Sequence, residues 1–192
     1  MERHGNDAKA ALRREVRAAV AGMSGEQKAA SSEAAGRLLV QQRVWQEARS
    51  ILFFAPTLQE VNIWPLLERA LKEGRTVALP RFISQKASYV ACRVENLAQE
   101  ITTGQFQIRE PSRRCAEVAL NRLDLILVPG VAFDLHGRRL GRGEGFYDQL
   151  LAAVRGTTCG VAFEQQMVRE VPVEPHDIHL NSILTPTRWI EL

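Results

Sequence analysis

The chain has 192 residues, of which 45% are hydrophobic and 24% are charged, so it can bury a substantial core and has the composition of a soluble protein. Its formal net charge of +3 is too small to argue for nucleic-acid binding, although a pI near 9.0 suits a ligand with several negative charges. Cys92, Cys115 and Cys159 are widely spaced and form no C-x-x-C pair, which argues against a disulfide framework and a structural metal. The polar start of the chain and the lack of a long apolar window predict no secretory signal and no membrane span, so we expect a cytoplasmic protein.

The N-terminal part is predicted to form a pair of helices. The first, Asp7–Ala21, is rich in alanine and contains neither proline nor glycine. It carries two neighbouring stripes with four-residue spacing, an apolar one of Leu12, Val16 and Val20 and a basic one of Lys9, Arg13 and Arg17. Ser24 and Gln27 match a capping box, which opens a second helix running to about Ala48.

A strand, a helix and a second strand follow, which predicts a βαβ unit with parallel strands. The strands are Ser50–Ala55 and Thr76–Leu79, and the helix runs from an N-cap at Asn62 to about Lys72, before Gly74. Ser88–Val94 is predicted to be a further strand. The stretch 96–121 has no clear pattern.

The C-terminal half repeats the alternation of strands and helices. Leu123–Val128 is continuously apolar, as in a central buried strand, and a helix is predicted over Glu144–Val154. Three shorter strands complete the pattern, over Thr158–Phe163, Ser182–Thr185 and Arg188–Leu192. No break in composition divides the chain, so residues 1–192 are expected to form one α/β domain with a single open, mostly parallel sheet flanked by helices and an N-terminal helical pair.

The segment between the buried strand and the predicted helix carries the strongest functional signal. Gly141, Gly143 and Gly145 alternate there, so backbone N–H groups can approach an anion without a Cβ in the way. The following helix adds the partial positive charge of its N-terminus, and nearby arginines add forked donors suited to phosphate oxygens. The segment is neither a Walker A loop nor a G-x-G-x-x-G fingerprint. The residue types favour a polyphosphate site over the alternative, a structural turn with solvated arginines.

The same segment resembles the signature of a known family. Pro129–Asp148 reads PGxAFDxxGxRLGRGxGxYD, which is similar to the 5-formyltetrahydrofolate cyclo-ligase family, also called methenyltetrahydrofolate synthetases. The similarity covers nearly the whole chain. It includes the Lys9-x-x-x-Arg13 pair, the loop Ala55–Glu60, the segment Leu79–Arg81, the segment Ile108–Pro111, and the stretches Val161–Gln165 and Val171–Asp177.

The resemblance implies an ATP- and Mg²⁺-dependent enzyme that converts 5-formyltetrahydrofolate, with or without a polyglutamate tail, to 5,10-methenyltetrahydrofolate. The γ-phosphoryl group of ATP is transferred to the formyl oxygen, the neighbouring folate nitrogen closes the ring, and ADP and phosphate are released. The implied enzyme is a monomer with a small-molecule substrate, no nucleic-acid partner and no membrane association. The implied nucleotide contacts are Lys9, Arg13, Arg139, Leu140, Gly141, Arg142, Gly143, Glu144, Gly145, Phe146 and Tyr147.

Further roles follow from the resemblance alone. Arg142 and Tyr147 are implied in catalysis, with Arg142 nearest the transferred group. Asp148 and Asp177 are implied as the magnesium ligands. The implied substrate contacts are Ala55, Glu60, Phe106, Arg142 and Phe146.

Each of these residues also has a plainer interpretation. Lys9 and Arg13 fit a solvated basic stripe, Asp148 a carboxylate paired with a local arginine, Asp177 an N-cap or turn residue, and Glu60 an exposed loop residue. Phe106 and Trp64 are possible stacking partners for the pterin or benzoyl ring and Tyr147 a possible folate contact, but all three also fit packed aromatic residues. Three positions depart from the family pattern, namely Glu144 in the glycine loop, Phe146 in place of a tyrosine, and Asn181 in place of an acid.

Two other functions compete with the cyclo-ligase. One is a non-catalytic module that binds nucleotide or phosphate and has lost turnover. The other is a nucleic-acid-associated protein, which is disfavoured because the arginines are scattered among acids and no basic stripe is interleaved with aromatic residues.

Overall fold

A computed structural model describes residues 2–104, 107–174 and 177–192, with side chains from residue 7 onward. The helices in this part of the chain are α1 (Glu2–Ala21), α2 (Gly25–Val40), α3 (Arg43–Glu47), α4 (Trp64–Lys72), α5 (Leu97–Glu100) and α6 (Phe146–Ala152). The strands are β1 (Ser50–Leu52), β2 (Thr76–Ile83), β3 (Ser88–Arg93), β4 (Ile101–Thr103), β5 (Arg109–Pro111), β6 (Glu117–Val118), β7 (Leu125–Val128), β8 (Ala132–Phe133), β9 (Arg139–Leu140), β10 (Thr157–Val161), β11 (Ser182–Leu184) and β12 (Trp189–Glu191).

The N-terminal helical pair is confirmed, with one correction. The capping box of α2 is present, since Gln27 N–H donates to Ser24 Oγ and Ser24 N–H donates to Gln27 Oε1. However, α2 ends at Val40 instead of continuing to Ala48, because Gln42 adopts the extended conformation of an N-cap (φ −78°, ψ 143°) and starts the separate helix α3.

Within the described residues, eight strands form one open sheet in the order β12-β11-β10-β7-β1-β2-β3-β6. The central pairs are parallel: β10 with β11, β7 with β10, β1 with β7, and β1 with β2. The pairs towards the edges, β11 with β12, β2 with β3 and β3 with β6, are antiparallel. The predicted βαβ unit is therefore confirmed as β1-α4-β2, and the α/β fold with a mostly parallel sheet is also confirmed.

Alternate residues of the central strands bury opposite faces of the sheet. On one face, Ile51 of β1 packs in a cluster with apolar side chains of α1, α2, α3 and α4. On the other face, the next residue, Leu52, packs in a cluster with Leu150 and Leu151 of α6. This two-sided burial explains why β7 is continuously apolar, since all four of its residues are 0% exposed.

The three cysteines are buried and free. Burial raises the pKa of Cys92 to about 11 and that of Cys159 to about 12, because a thiolate is costly in an apolar environment. Separately, no helix in the described residues is long and apolar enough to cross a membrane.

The stretch without a clear sequence pattern forms short strands, two of which pair with each other and one with β3. Strand β4 pairs antiparallel with β5, and β6 pairs with β3. Arg81 on β2 donates from Nη1 to the carbonyls of Ser112 (3.0 Å) and Cys115 (3.2 Å), which fixes the connection between β5 and β6.

Candidate active site

A cavity of about 260 Å³ opens at the carboxyl ends of the central parallel strands. Its lining includes Phe54 and Ala55, which follow β1, and Pro129 and Gly130, which follow β7. Because β1 and β7 are parallel neighbours, the segments leaving their carboxyl ends meet at the same edge of the sheet. This is the position at which open α/β sheets bind their ligands.

A small β-hairpin delivers the glycine-rich loop to this cavity. Strands β8 and β9 pair antiparallel, and Gly137, with φ 77°, lies in the turn between them. Asp134 is fully buried at the start of that turn. Its carboxylate accepts hydrogen bonds from the backbone N–H groups of His136 (2.9 Å), Arg138 (3.2 Å) and Val171 (2.9 Å). This motif aspartate thus has a structural role, since it holds the hairpin that positions the loop.

The loop exposes backbone donors, as the alternating glycines predict. Gly143 and Gly145 have φ values of 119° and 69°, which side-chain-bearing residues rarely adopt. In the described part of the chain, none of the N–H groups of residues 142–145 donates a hydrogen bond to another residue. Glu144 is exposed and lines the cavity. Arg138, the arginine that could have paired with Glu144, instead forms an ion pair with Glu170 (2.9 Å).

Arg139 is the more buried of the two glycine-loop arginines predicted to bind phosphate. Its side chain is 3% exposed, and Nη2 lies 2.6 Å from Asp148 Oδ1. Its Nε is buried and has no hydrogen-bond partner in the described residues. The guanidinium group lies 5.8 Å from the ring centroid of Tyr147. Asp148 therefore pairs with a local arginine while also lining the cavity.

Arg142 connects the glycine loop to the loop that follows β1. Its Nη2 donates to Glu60 Oε1 (2.8 Å) and to Thr57 Oγ1 (3.2 Å). The other carboxylate oxygen, Glu60 Oε2, accepts from Thr57 N–H (2.8 Å) and from Thr57 Oγ1 (3.0 Å). The Glu60 side chain is only 8% exposed. The alternative of a solvated loop residue is therefore wrong for Glu60.

Helix α1 reaches the glycine loop through its basic stripe. Arg13 Nε donates to the Gly141 carbonyl (2.9 Å), and within the described residues Arg13 makes no ion pair. Lys9, one turn earlier, lies 2.8 Å from Glu174 Oε2 and 3.0 Å from Asp177 Oδ2. Burial lowers the pKa of Lys9, but the hydrogen bonds and charges of its two acidic partners outweigh that effect and raise it. The two cations are thus held against loops instead of forming a solvated stripe.

A cluster of aromatic side chains, called the aromatic wall below, contributes to the lining of the cavity. Phe146 packs against Phe82 and Tyr89, with ring centroids 5.0 and 5.9 Å apart. Tyr147 continues the wall, 5.7 Å from Tyr89. Burial raises the pKa of Tyr147 still further above neutrality, so its phenol is protonated and can donate a hydrogen bond.

The structure gathers most of the predicted residues in one place. The predicted residues that line the cavity are Ala55, Glu60, Arg139, Gly141, Arg142, Glu144, Gly145, Phe146, Tyr147 and Asp148. Gly143 lies beside Arg13, because a Cβ at Gly143 would be 3.7 Å from Arg13 Cζ, whereas Leu140 is a core residue that is 2% exposed. Phe106 lies outside the described residues.

Other residues at the site were missed by sequence reasoning. Thr57, Tyr89, Arg109 and Glu110 had no assigned role, although Thr57 contacts two predicted residues and the others line the cavity. The contact between Phe82 and Tyr89 could have been predicted from the sequence, because an antiparallel β2-β3 hairpin places these two residues opposite each other. Trp64 does not line the cavity and instead stacks on Arg109.

The two predicted magnesium ligands are not part of a larger cluster. In residues 2–104, 107–174 and 177–192, no group of three or more metal-binding side chains is present. Asp148 is bound to Arg139. Asp177 Oδ2 accepts from Lys9 and from the Glu174 N–H (2.7 Å), as expected for a turn residue.

Fold and site together define an α/β protein in which an exposed glycine loop lies beside an aromatic-walled cavity. The family model described as the 5-formyltetrahydrofolate cyclo-ligase family matches residues 5–186, and the chain belongs to this family.

Known relatives agree with this assignment. The chain is 28% identical over 191 residues to the 5-formyltetrahydrofolate cyclo-ligase of Mus musculus, covering 93% of this chain and 94% of the mouse protein. It is 32% identical over 145 residues to the enzyme of that name from Escherichia coli K12, covering 73% of this chain and 80% of that protein. A solution structure of Aquifex aeolicus 5,10-methenyltetrahydrofolate synthetase matches with a TM-score of 0.87 and 32% identity over 96% of this chain and 92% of that chain.

Proposed function

We propose that this chain converts 5-formyltetrahydrofolate to 5,10-methenyltetrahydrofolate while ATP is converted to ADP and phosphate. The observation that carries the proposal is that one cavity contains both kinds of contact that the reactants require. A carboxylate and an aromatic wall suit a pterin ring, and an exposed glycine loop with an arginine suits a triphosphate. The two reactants would therefore lie side by side in one chain, which also supports a monomeric enzyme.

The reaction needs the two reactants held in the right geometry, and it does not need a nucleophilic side chain. The formyl oxygen attacks the γ-phosphorus, and ADP leaves with the electron pair of the broken P–O bond. The neighbouring folate nitrogen then attacks the formyl carbon and loses its proton to solvent, and the C–O bond breaks as phosphate leaves. Charge develops on phosphate oxygens throughout, so fixed cations and backbone donors supply most of the rate enhancement.

Arg142 has the central role in this proposal. Before ligands bind, Glu60 neutralises its charge at 2.8 Å. A γ-phosphate would take the place of that carboxylate on Arg142 and leave Glu60 Oε1 to accept hydrogen bonds from the amino and N–H groups of the pterin. Thr57 keeps Glu60 Oε2 fixed in both states. One change of partner thus prepares both binding sites.

The remaining cations support the nucleotide. Arg13, beside Gly143 and without an ion pair in the described residues, would face the phosphates from α1. Lys9 would hold the loop around Asp177 close to them. Arg139 is almost fully buried, so we propose that it mainly fixes Asp148 and the base of the loop. It also remains a predicted contact of the ATP phosphates. Tyr147, whose pKa burial raises further above neutrality, would donate a hydrogen bond within the site.

The donor chemistry of the site fits magnesium. Mg²⁺ in nucleotide enzymes is held by one or two carboxylates together with phosphate oxygens, so a large cluster of protein ligands is not required. Asp148 lines the cavity and engages Arg139 through Oδ1, and Asp177 lies on the loop bound by Lys9. We propose these two carboxylates as the magnesium ligands. The chemistry that the ion supplies when bound is neutralisation of phosphate charge.

The test is a spectroscopic assay for 5,10-methenyltetrahydrofolate with and without ATP. We expect product only with ATP, and ATP consumption only with 5-formyltetrahydrofolate. Arg142→Ala should lower kcat by about 100-fold or more, as expected for the loss of one charge-stabilising donor. Arg122→Ala, an exposed arginine ahead of β7, is the control and should keep full activity. Nucleotide binding without turnover would instead identify a non-catalytic binding module.

A further inference from the structure

A third arginine, Arg109 on β5, lines the cavity and is not used by the proposed mechanism. It differs from the other two cavity arginines in its charge balance. Arg139 is neutralised by Asp148 and Arg142 by Glu60, whereas in the described ranges Arg109 makes no ion pair. Arg109 is also exposed, so its side chain borders solvent at the cavity.

The guanidinium group of Arg109 is held in place despite this exposure. It lies 4.3 Å from the ring centroid of Trp64, a distance typical of a cation–π contact. Stacking occupies one face of the planar group and leaves its N–H edges free to donate. Because those edges match the geometry of a carboxylate, a fixed arginine of this kind can bind one with little loss of side-chain entropy.

The position of β5 indicates which anion would reach Arg109. Glu110, the next residue, also lines the cavity, and its Oε2 accepts a hydrogen bond from Phe82 N–H (3.2 Å). This bond places β5 against the strand that supplies the aromatic wall. A ring stacked on that wall would therefore extend past β5 towards solvent. The phosphate donors lie instead on the glycine loop.

We infer that Arg109, oriented by Trp64, binds a carboxylate of the glutamate tail of the folate substrate. The inference rests on the proposed function, because it takes the pterin to lie on the aromatic wall. The tail is the anionic end of that substrate, and it follows the pterin and benzoyl rings in the molecule. Arg109 thereby contributes to substrate specificity without taking part in the reaction.

The test compares two ligands that differ only in the tail. Binding of 5-formyltetrahydrofolate and of its glutamate-free analogue, 5-formyltetrahydropteroate, is measured by calorimetry without ATP. The wild type should bind the folate about 5- to 10-fold more tightly, as expected for a half-solvated charge-assisted contact. In Arg109→Gln, which keeps a planar group for Trp64, the preference should fall to within about twofold. Arg122→Gln, on a distant exposed arginine, should leave the preference intact.

The salt dependence of ligand binding and the kinetic constants of Arg109→Gln distinguish a charge contact with the folate from a structural role of Arg109. The preference of the wild type should weaken as ionic strength rises towards 1 M, where the Debye length is about 3 Å, and that of Arg109→Gln should not change. KM for the folate should rise in the variant, while KM for ATP and kcat stay the same. An unchanged ligand preference in Arg109→Gln, equal weakening of both ligands, or a raised KM for ATP would each overturn the assignment.

The same measurements distinguish a failure of the Arg109 inference from a failure of the proposed function. Product formation by the wild type in the presence of ATP, together with an unaltered preference in Arg109→Gln, would remove only the role of Arg109. Failure of the wild type to bind either ligand would remove both conclusions.

Discussion

Thr57 offers the sharpest test of the proposed arrangement, because its hydroxyl contacts both partners of the central ion pair. Thr57 Oγ1 donates to Glu60 Oε2 at 3.0 Å and accepts from Arg142 Nη2 at 3.2 Å. Thr57→Val removes both contacts and keeps the shape of the side chain. The backbone bond from Thr57 N–H to Glu60 (2.8 Å) and the Glu60–Arg142 pair (2.8 Å) remain.

The magnitude follows from those two contacts. A hydrogen bond to a charged group contributes about 1.5–3 kcal/mol when desolvated. Arg142 is 45% exposed and Thr57 is half-buried, so both contacts are discounted for solvent. We expect a total loss of about 1.5–2.5 kcal/mol, which corresponds to a fall of about 10- to 70-fold in kcat/KM for 5-formyltetrahydrofolate. KM for ATP should change much less, because the phosphate donors of the loop are untouched.

The assay is initial-rate formation of 5,10-methenyltetrahydrofolate with each substrate varied in turn. Thr57→Ser restores the hydroxyl without the methyl group and should recover kcat/KM to within about threefold of the wild type. A Thr57→Val enzyme with full activity would refute the positioning role. So would a Thr57→Ser enzyme as impaired as Thr57→Val, since packing would then explain the effect.

Three further predictions concern the metal, the loop and the hairpin. Asp148→Asn should raise the magnesium concentration needed for half-maximal activity, and an unchanged titration would count against Asp148 as a ligand. Gly143→Ala should strain the backbone at φ 119° by about 1–3 kcal/mol and weaken ATP binding measured by calorimetry, whereas Gly25→Ala, with no neighbour within 4 Å of the new methyl group, should have no effect. Asp134→Asn should replace one buried acceptor with a donor and cost about 3 kcal/mol, lowering Tm by about 6–12 °C in a thermal melt; a Tm within 2 °C of the wild type would contradict the structural role.

The elements that sequence predicted well are those specified by neighbouring residues. The capping box of α2 depends on Ser24 and Gln27 alone, and both of its hydrogen bonds are present. Gly74, with φ 72°, lies just after α4, where its freedom to adopt a positive φ is needed. The buried run of β7 and the alternating glycines of the loop are likewise continuous in sequence. Such signals survive because backbone conformation responds chiefly to residues a few positions away.

The features that were not predicted are very short strands and contacts between residues far apart in the sequence. Strands β4, β5 and β6 are two or three residues long and form through pairing with other strands, so their sequences carry little independent signal. The ion pair between Glu60, predicted as a substrate contact, and Arg142, 82 positions later, was not predicted, because nothing in the sequence around either residue indicates it. The benefit of that contact exists only once the sheet has brought the two loops to the same edge.

The sequence by itself determined the fold class, the family and the backbone freedom of the glycine loop, because glycine spacing, caps and hydrophobic periodicity are local properties of the chain. The tertiary structure alone decided how the charges are paired. Lys9 meets Asp177, 168 positions away, Arg142 meets Glu60, and Arg109 is left without an acidic partner among the described residues. Ion pairing depends on distances of a few ångströms between side chains, and only the folded path of the chain sets those distances.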